Sequence, residues 1–141
     1  MVRVAATNIT SPIGWTTEEN YQALKSGCSA LSRYEGWKRM PEPFVASFFS
    51  DEQVRELAMD GYTRFESIAI RSIAEALTHT DVDVSGKRTL FVLSTTKGNV
   101  DELGVSEETD GMYLTPGATA RKIAEHFGIT TVPVVVSNAC I

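Results

Sequence analysis

"VPVVVSNACI", residues 132–141, decides how the rest of the chain is organised. Its Val-rich run is apolar on both faces, as a covered parallel strand is. Pro133 cannot donate to a ladder, so it belongs at the start of that strand or on an edge. Three small residues, Ser137, Asn138 and Ala139, then lead to Cys140. In α/β folds the carboxyl end of a strand is where sites collect, because a helix begins there. A cysteine at such a junction sits where backbone N–H groups and the helix dipole stabilise a thiolate, the nucleophilic form. Small neighbours let a substrate approach closely. Taken alone, these residues leave two readings open: Cys140 is an acyl-accepting nucleophile, or it is a small buried apolar side chain.

Outward from that strand, apolar strand-like runs alternate with helical patterns. Residues 2–9, "VRVAATNI", are β-branched and predict a first strand. "SPIG" breaks it, and Thr16 with Glu19 sets a capping box for a helix over 17–26, which Gly27 ends. Residues 28–43 read as loop, and "FVASFF" (44–49) as a short strand. Ser50 and Gln53 repeat the capping pattern before a helix reaching about Met59. The clearest helix is "RFESIAIRSIAEALTHT", where Phe65, Ile68, Ile73 and Leu77, with Ala69, Ala74 and Ala76, recur at helical spacing. "KRTLFVLSTT" (87–96) is a strand running into a Lys-Gly-Asn turn. Thr115 as N-cap and Pro116 at the first helical position open the helix "GATARKIAEHF", stopped by Gly128. Strands separated by helices predict βαβ units and an α/β fold.

Composition narrows the class. A chain of 141 residues, 43% hydrophobic, is long enough for one core, and residues 1–141 read as one unit. A net charge of −5 argues against a broad nucleic-acid or anionic-membrane surface. No apolar run reaches membrane-span length, and the opening "MVRVAATNIT" carries no secretory pattern. Cys28 and Cys140 lie far apart with no metal-type spacing, so both are expected as reduced thiols in a cytoplasmic protein. Cys28, in "KSGCSAL", reads as structural. His79 and His126 fall at helix ends, where an imidazolium complements the dipole. "STTKGN" has turn amides that suit an anion but no P-loop pattern, and reads as a turn supporting the site. "DELGVSEETDGMY" is an acidic loop, in which Met112 and Tyr113 stand out. Trp15, Trp37 and Phe44 read as packing residues.

Four stretches, in order, resemble the N-terminal part of a β-ketoacyl synthase, a condensing enzyme of the thiolase-like superfamily. "VAATNITSPIGWTTEENYQALKSGCSAL" is similar to its opening strand, Ser-Pro-x-Gly turn and first helix. "RFESIAIRSIAEAL" resembles its long buried helix, and "TLFVLSTTKGN" its next strand and turn. "GATARKIAEHFGITTVPVVVSNACI" resembles the helix, connecting Gly and strand that precede the active cysteine. The resemblance implies a thiolase-like layered α-β-α fold, of which this is the N-terminal half ending at the nucleophile strand, and it implies Cys140 as the nucleophile. It implies decarboxylative condensation of an acyl thioester with malonyl-acyl-carrier protein, in fatty-acid or polyketide-type synthesis. No cofactor or metal is expected in the chain itself, since phosphopantetheine belongs to the carrier protein. Family members supply two histidines and a lysine from a later half, so residues 1–141 alone are expected to be inactive. Partners implied are acyl-carrier protein and a second ketosynthase subunit, met through the Val132–Val136 strand, with no nucleic acid and no membrane. The family often has a basic cluster before the long helix, where this chain has only Arg64. Lys25, Arg33, Lys38 and Arg39 are the alternative carrier contacts. Two other readings share parts of this pattern: a non-catalytic partner like the chain-length factors, and a thiolase-like acyl-CoA enzyme. Chain-length factors typically lack the cysteine, and the Ser-Pro-x-Gly and "SNACI" segments favour the synthase over the thiolase.

Overall fold

The computed structural model describes residues 1–37, 40–103 and 114–138. These form a mixed α/β structure with four helices and two small sheets. Helix α1 (Thr17–Lys25) is followed by strands β1 (Leu31–Tyr34) and β2 (Phe44–Ser47), then helices α2 (Asp51–Leu57) and α3 (Arg64–Leu77). Strand β3 (Val92–Ser94), a 3-10 turn at Val100–Glu102, helix α4 (Pro116–His126) and strand β4 (Val134–Val136) complete the order.

Helix starts follow local chemistry closely. Thr16 with Glu19, Ser50 with Gln53 and Thr63 with Glu66 all form reciprocal capping boxes. Thr115 caps α4, with Pro116 inside its first turn. The βαβ expectation holds in the second half of the chain. β3 and β4 pair in parallel with Val92 opposite Val134, Leu93 opposite Val135 and Ser94 opposite Val136. Two threonines align them: Thr131 Oγ1 donates to the Thr89 carbonyl (2.6 Å) and Thr130 Oγ1 to that of Ser85 (3.3 Å). Pro133 stands just before β4, where its missing N–H costs no ladder bond.

The core sits where α2, α3, α4 and the parallel pair meet. Leu57, Ile70, Leu93, Ala120, Ile123 and Ala124 are its buried apolar residues. On α3 the most buried face is Glu66–Ser67–Ile70, rotated from the apolar stripe expected from the pattern. Phe65, Ile68, Ile73 and Leu77 are half-buried, and Ala74 is exposed. Polar partners for Glu66 and Ser67 turn the helix this way.

Two expectations are corrected. Residues 2–9 form no strand, and Val2 and Val4 are 99% and 81% exposed. A β-branched run becomes a strand only with a ladder partner, and this segment is held instead by side chains. Asn20 Nδ2 donates to the Ile9 carbonyl (3.0 Å), and Asn8 Nδ2 donates to Ser72 Oγ on α3 (3.0 Å). Residues 28–43, read as loop, contain β1, which pairs antiparallel with β2 from Leu31 opposite Ser47 to Tyr34 opposite Phe44. Aromatic contacts close this hairpin: Tyr34 stacks on Phe44 at 5.6 Å and Trp37 on Phe48 at 5.1 Å.

Candidate active site

The site is built from the carboxyl edge of the parallel pair. Val134 N–H donates to the Phe91 carbonyl at 2.9 Å, and Thr95 N–H to the Val136 carbonyl at 3.1 Å. The ladder therefore delivers Thr95 and Ser137 to one edge together. Ser137 and Asn138 are exposed there. Cys140, two residues further on, lies outside the described residues, as do Met112, Tyr113, Lys38 and Arg39.

The turn after β3 is self-satisfied. Thr95 Oγ1 accepts from the N–H groups of Lys97 (3.3 Å) and Gly98 (3.0 Å). Two of the amides that an anion would need are thus already engaged within the turn. Gly98 has φ +54°, a left-handed conformation that costs glycine little, and it is buried near Pro116.

Asn99, the next residue, is the feature that sequence reading missed. It is 0% exposed and sits inside the Thr63–Glu66 capping box of α3. Thr63 Oγ1 donates to Asn99 Oδ1 (2.7 Å) while accepting from Glu66 N–H (3.2 Å). Asn99 Nδ2 donates to Glu66 Oε1 (3.1 Å) and to Thr119 Oγ1 on α4 (2.9 Å). The second Glu66 oxygen accepts from Thr63 N–H (3.0 Å) and pairs with Lys122 Nζ at 2.9 Å. A carboxylate only 1% exposed is thereby paired and hydrogen-bonded on both oxygens, the condition for tolerable burial. The available signal was the Thr63-x-x-Glu66 spacing, which marks a helix start but not a distant guest in the cap.

A second polar hub shapes the Ser-Pro-x-Gly turn. Ser11 and Gly14 exchange two backbone bonds, of 2.8 and 3.1 Å. Buried Asn20 donates to the carbonyls of Ile9, Gly14 and Thr16, and its Oδ1 accepts from the Ser11 hydroxyl. A Cβ on Gly14 would lie 2.7 Å from Glu19 Cβ and 2.8 Å from Asn20 N, so the motif's glycine reflects close packing on α1. The Glu19 carboxyl is held below its ordinary value near 4.5, first by the Trp15 N–H and then by that of Thr16.

The remaining residues singled out in the sequence have local partners. His79 Nε2 lies 3.3 Å from Glu75 Oε1, and His126 Nδ1 lies 3.0 Å from the Tyr62 hydroxyl. Arg64 pairs with Asp101 at 2.6 Å and Arg33 with Glu35 at 2.9 Å. Lys25 Nζ lies 6.0 Å from the Tyr21 ring centroid. Cys28 is exposed just past the end of α1, its sulfur 3.3 Å from the Ser26 hydroxyl. An open groove of about 510 Å³ between the hairpin and α3 is lined by Trp37, Phe48, Phe65, Arg64 and Gly98. Among the described residues, no helix is long and apolar enough to cross a membrane.

No protein-family model matches the chain, and no curated protein matches it either.

Proposed function

We propose that this chain is the N-terminal part of a β-ketoacyl synthase with a thiolase-like layered fold, and that Cys140 accepts the acyl group. The observation that carries the reading is the β3–α4–β4 unit, a parallel pair whose second strand runs within four residues of Cys140. The clamped Ser11–Gly14 turn and the satisfied Thr95–Asn99 turn add support, since both coincide with segments that resemble the family.

In this reading the Cys140 thiolate attacks the carbonyl carbon of an acyl-carrier-protein thioester. The C–S bond to the carrier breaks, and the phosphopantetheine thiol leaves with a proton. Malonyl-carrier protein then loses CO2, and its enolate carbon attacks the Cys140 thioester. A carbon–carbon bond forms and the Cys140 thiolate is released. Backbone N–H groups, including that of Cys140, are assigned by the family resemblance to hold the oxyanion of each tetrahedral intermediate. Enolate stabilisation is assigned to histidines of the family's later half, because neither His79 nor His126 lies in a segment resembling the family's catalytic motifs; they contact Glu75 and Tyr62 instead. Val132, Val134 and Val136 are exposed along a segment whose strand has β3 as its one described neighbour, which supports pairing with a second subunit.

The test is turnover by residues 1–141 combined with the C-terminal half that the family resemblance implies. Acyl- and malonyl-carrier proteins should yield a 3-oxoacyl product, lost in Cys140→Ala and retained in Cys28→Ala. Full turnover in Cys140→Ala would remove the reading. Product from acyl-CoA without carrier protein would favour the thiolase-like alternative instead.

A further inference from the structure

We infer that Asn99 and Glu66 are positioning residues for acyl transfer, holding the Thr95–Asn99 turn in register with the strand edge that leads to Cys140. This rests on the condensing-enzyme reading above.

The turn is bonded to that edge on one side and to the polar cluster on the other. On the first side Thr95 N–H donates to Val136, four residues before Cys140. On the second, Asn99 is gripped by α3 through Thr63 and Glu66 and by α4 through Thr119. These partners lie 36, 33 and 20 positions away in sequence, so the cluster fixes three separate elements at one point. Buried polar networks that are fully satisfied specify one arrangement, and a partly satisfied one is costly. Among the described residues no buried side-chain polar atom of this cluster lacks a partner.

The chemistry demands an amide at position 99. Its oxygen accepts from the Thr63 hydroxyl, while its nitrogen supplies two protons, one to a carboxylate and one to a hydroxyl. Aspartate has the same shape but no protons to give, and it sets a second carboxylate against Glu66. Glu66→Gln alone places an amide nitrogen against the Asn99 amide nitrogen. The two changes together restore the pattern with the direction of one bond reversed. The new amide on α3 then donates to the new carboxylate in the turn, and its oxygen still accepts from Thr63 N–H and Lys122. The Thr119 hydroxyl rotates to donate instead of accept.

This reversal separates positioning from mere stability. The experiment measures single-turnover acylation of Cys140 from an acyl-carrier-protein thioester, its pH profile, and thermal melting, all in the full protein. Asn99→Asp should slow acylation about tenfold to a hundredfold among the folded molecules, the scale of a misplaced reacting group. The Asn99→Asp/Glu66→Gln double variant should return to within about threefold of wild type, a coupling that independent sites do not show. Thr119→Val, which removes a single bond, should fall between them and keeps the test usable if Asn99→Asp does not fold. The pH profile should keep its shape, since the turn acts on the strand edge through Val136 and contributes no titrating group. An acylation rate unchanged in Asn99→Asp, or one falling only with the folded fraction, overturns the positioning role. So does a double variant no faster than Asn99→Asp. Wild-type protein that takes no acyl group at Cys140 overturns the condensing-enzyme reading, and the positioning role with it.

Discussion

Two turns in this molecule are each held by a buried asparagine, and they are held differently. At Ser11–Gly14, Asn20 collects three carbonyls and a hydroxyl, none more than 11 positions away. At Thr95–Asn99, the asparagine belongs to the turn itself and reaches partners 20 to 36 positions away on two helices. Asn20 itself orders a short piece of chain, and a long-range bond reaches that turn from Gln53 Nε2 on α2 to the Pro12 carbonyl (3.1 Å). Asn99 ties together elements that form separately. Local bonds can form before the core does. Long-range ones repay their loop-closure cost only when α3, α4 and β3 have already met.

That contrast predicts a ranking of effects. The largest belongs to Asn99→Leu, which leaves Glu66, Thr119 and Thr63 each short of a partner. It should cost about 3 kcal/mol or more in urea unfolding, because each stranded buried group carries its own desolvation penalty. A loss under about 1 kcal/mol, the net worth of one ordinary hydrogen bond, would show that Asn99 does not hold α3 and α4 together.

Gly14→Ala comes next. Its new Cβ meets the Glu19 side chain and the Asn20 backbone below 3.0 Å, so the turn or α1 must shift. A cost of about 2 kcal/mol is expected, in the range for overpacking. In hydrogen exchange, protection should be lost around Ser11–Asn20 while Lys97 and Gly98 stay protected. Loss at both turns would show that the two hubs are coupled.

Arg64→Ala should change stability by no more than about 1 kcal/mol, because its bond to Asp101 is largely exposed. The smallest effect is expected at Glu19, and it should depend on pH. Its folded pKa is depressed by the Trp15 and Thr16 amides, so its stabilisation is present above the unfolded value and is lost as pH falls through the folded value. Wild type should therefore exceed Glu19→Gln in urea midpoint near neutral pH. The gap should close as pH drops below about 4.5. A gap that widened on acidification would contradict the assigned sign.

What could be read from the sequence follows the same division. The boundaries of α1, α2 and α4 depend on residues within three positions of each cap, and Thr16–Glu19, Ser50–Gln53 and Thr115–Pro116 mark them directly. The parallel partnership of β3 and β4 was legible because a helix stands between two apolar runs. Residues 2–9 carry the same apolar pattern without a ladder, since pairing is a property of a neighbour and not of the segment. The hairpin strand β1 was hidden because "LSRY" has little alternation, and its pairing is secured by Tyr34, Trp37, Phe44 and Phe48 acting across the loop. The rotated face of α3 was equally hidden. Glu66 and Ser67 look like solvent residues until Asn99, Lys122 and the Met59 N–H, which donates to Ser67 Oγ at 3.2 Å, are brought to them. Cys140 drew attention through its place after a Val-rich strand, and the described ladder ends four residues before it.

Acyl transfer to Cys140 is tested most directly by peptide mass mapping. Protein carrying residues 1–141 with the implied C-terminal half is incubated with an acyl-carrier-protein thioester, digested, and mapped by peptide mass. One acyl group per chain is expected, on the peptide containing Cys140, with Cys28 unmodified. An acyl group on Cys28, or none on either cysteine, would refute acyl transfer to Cys140.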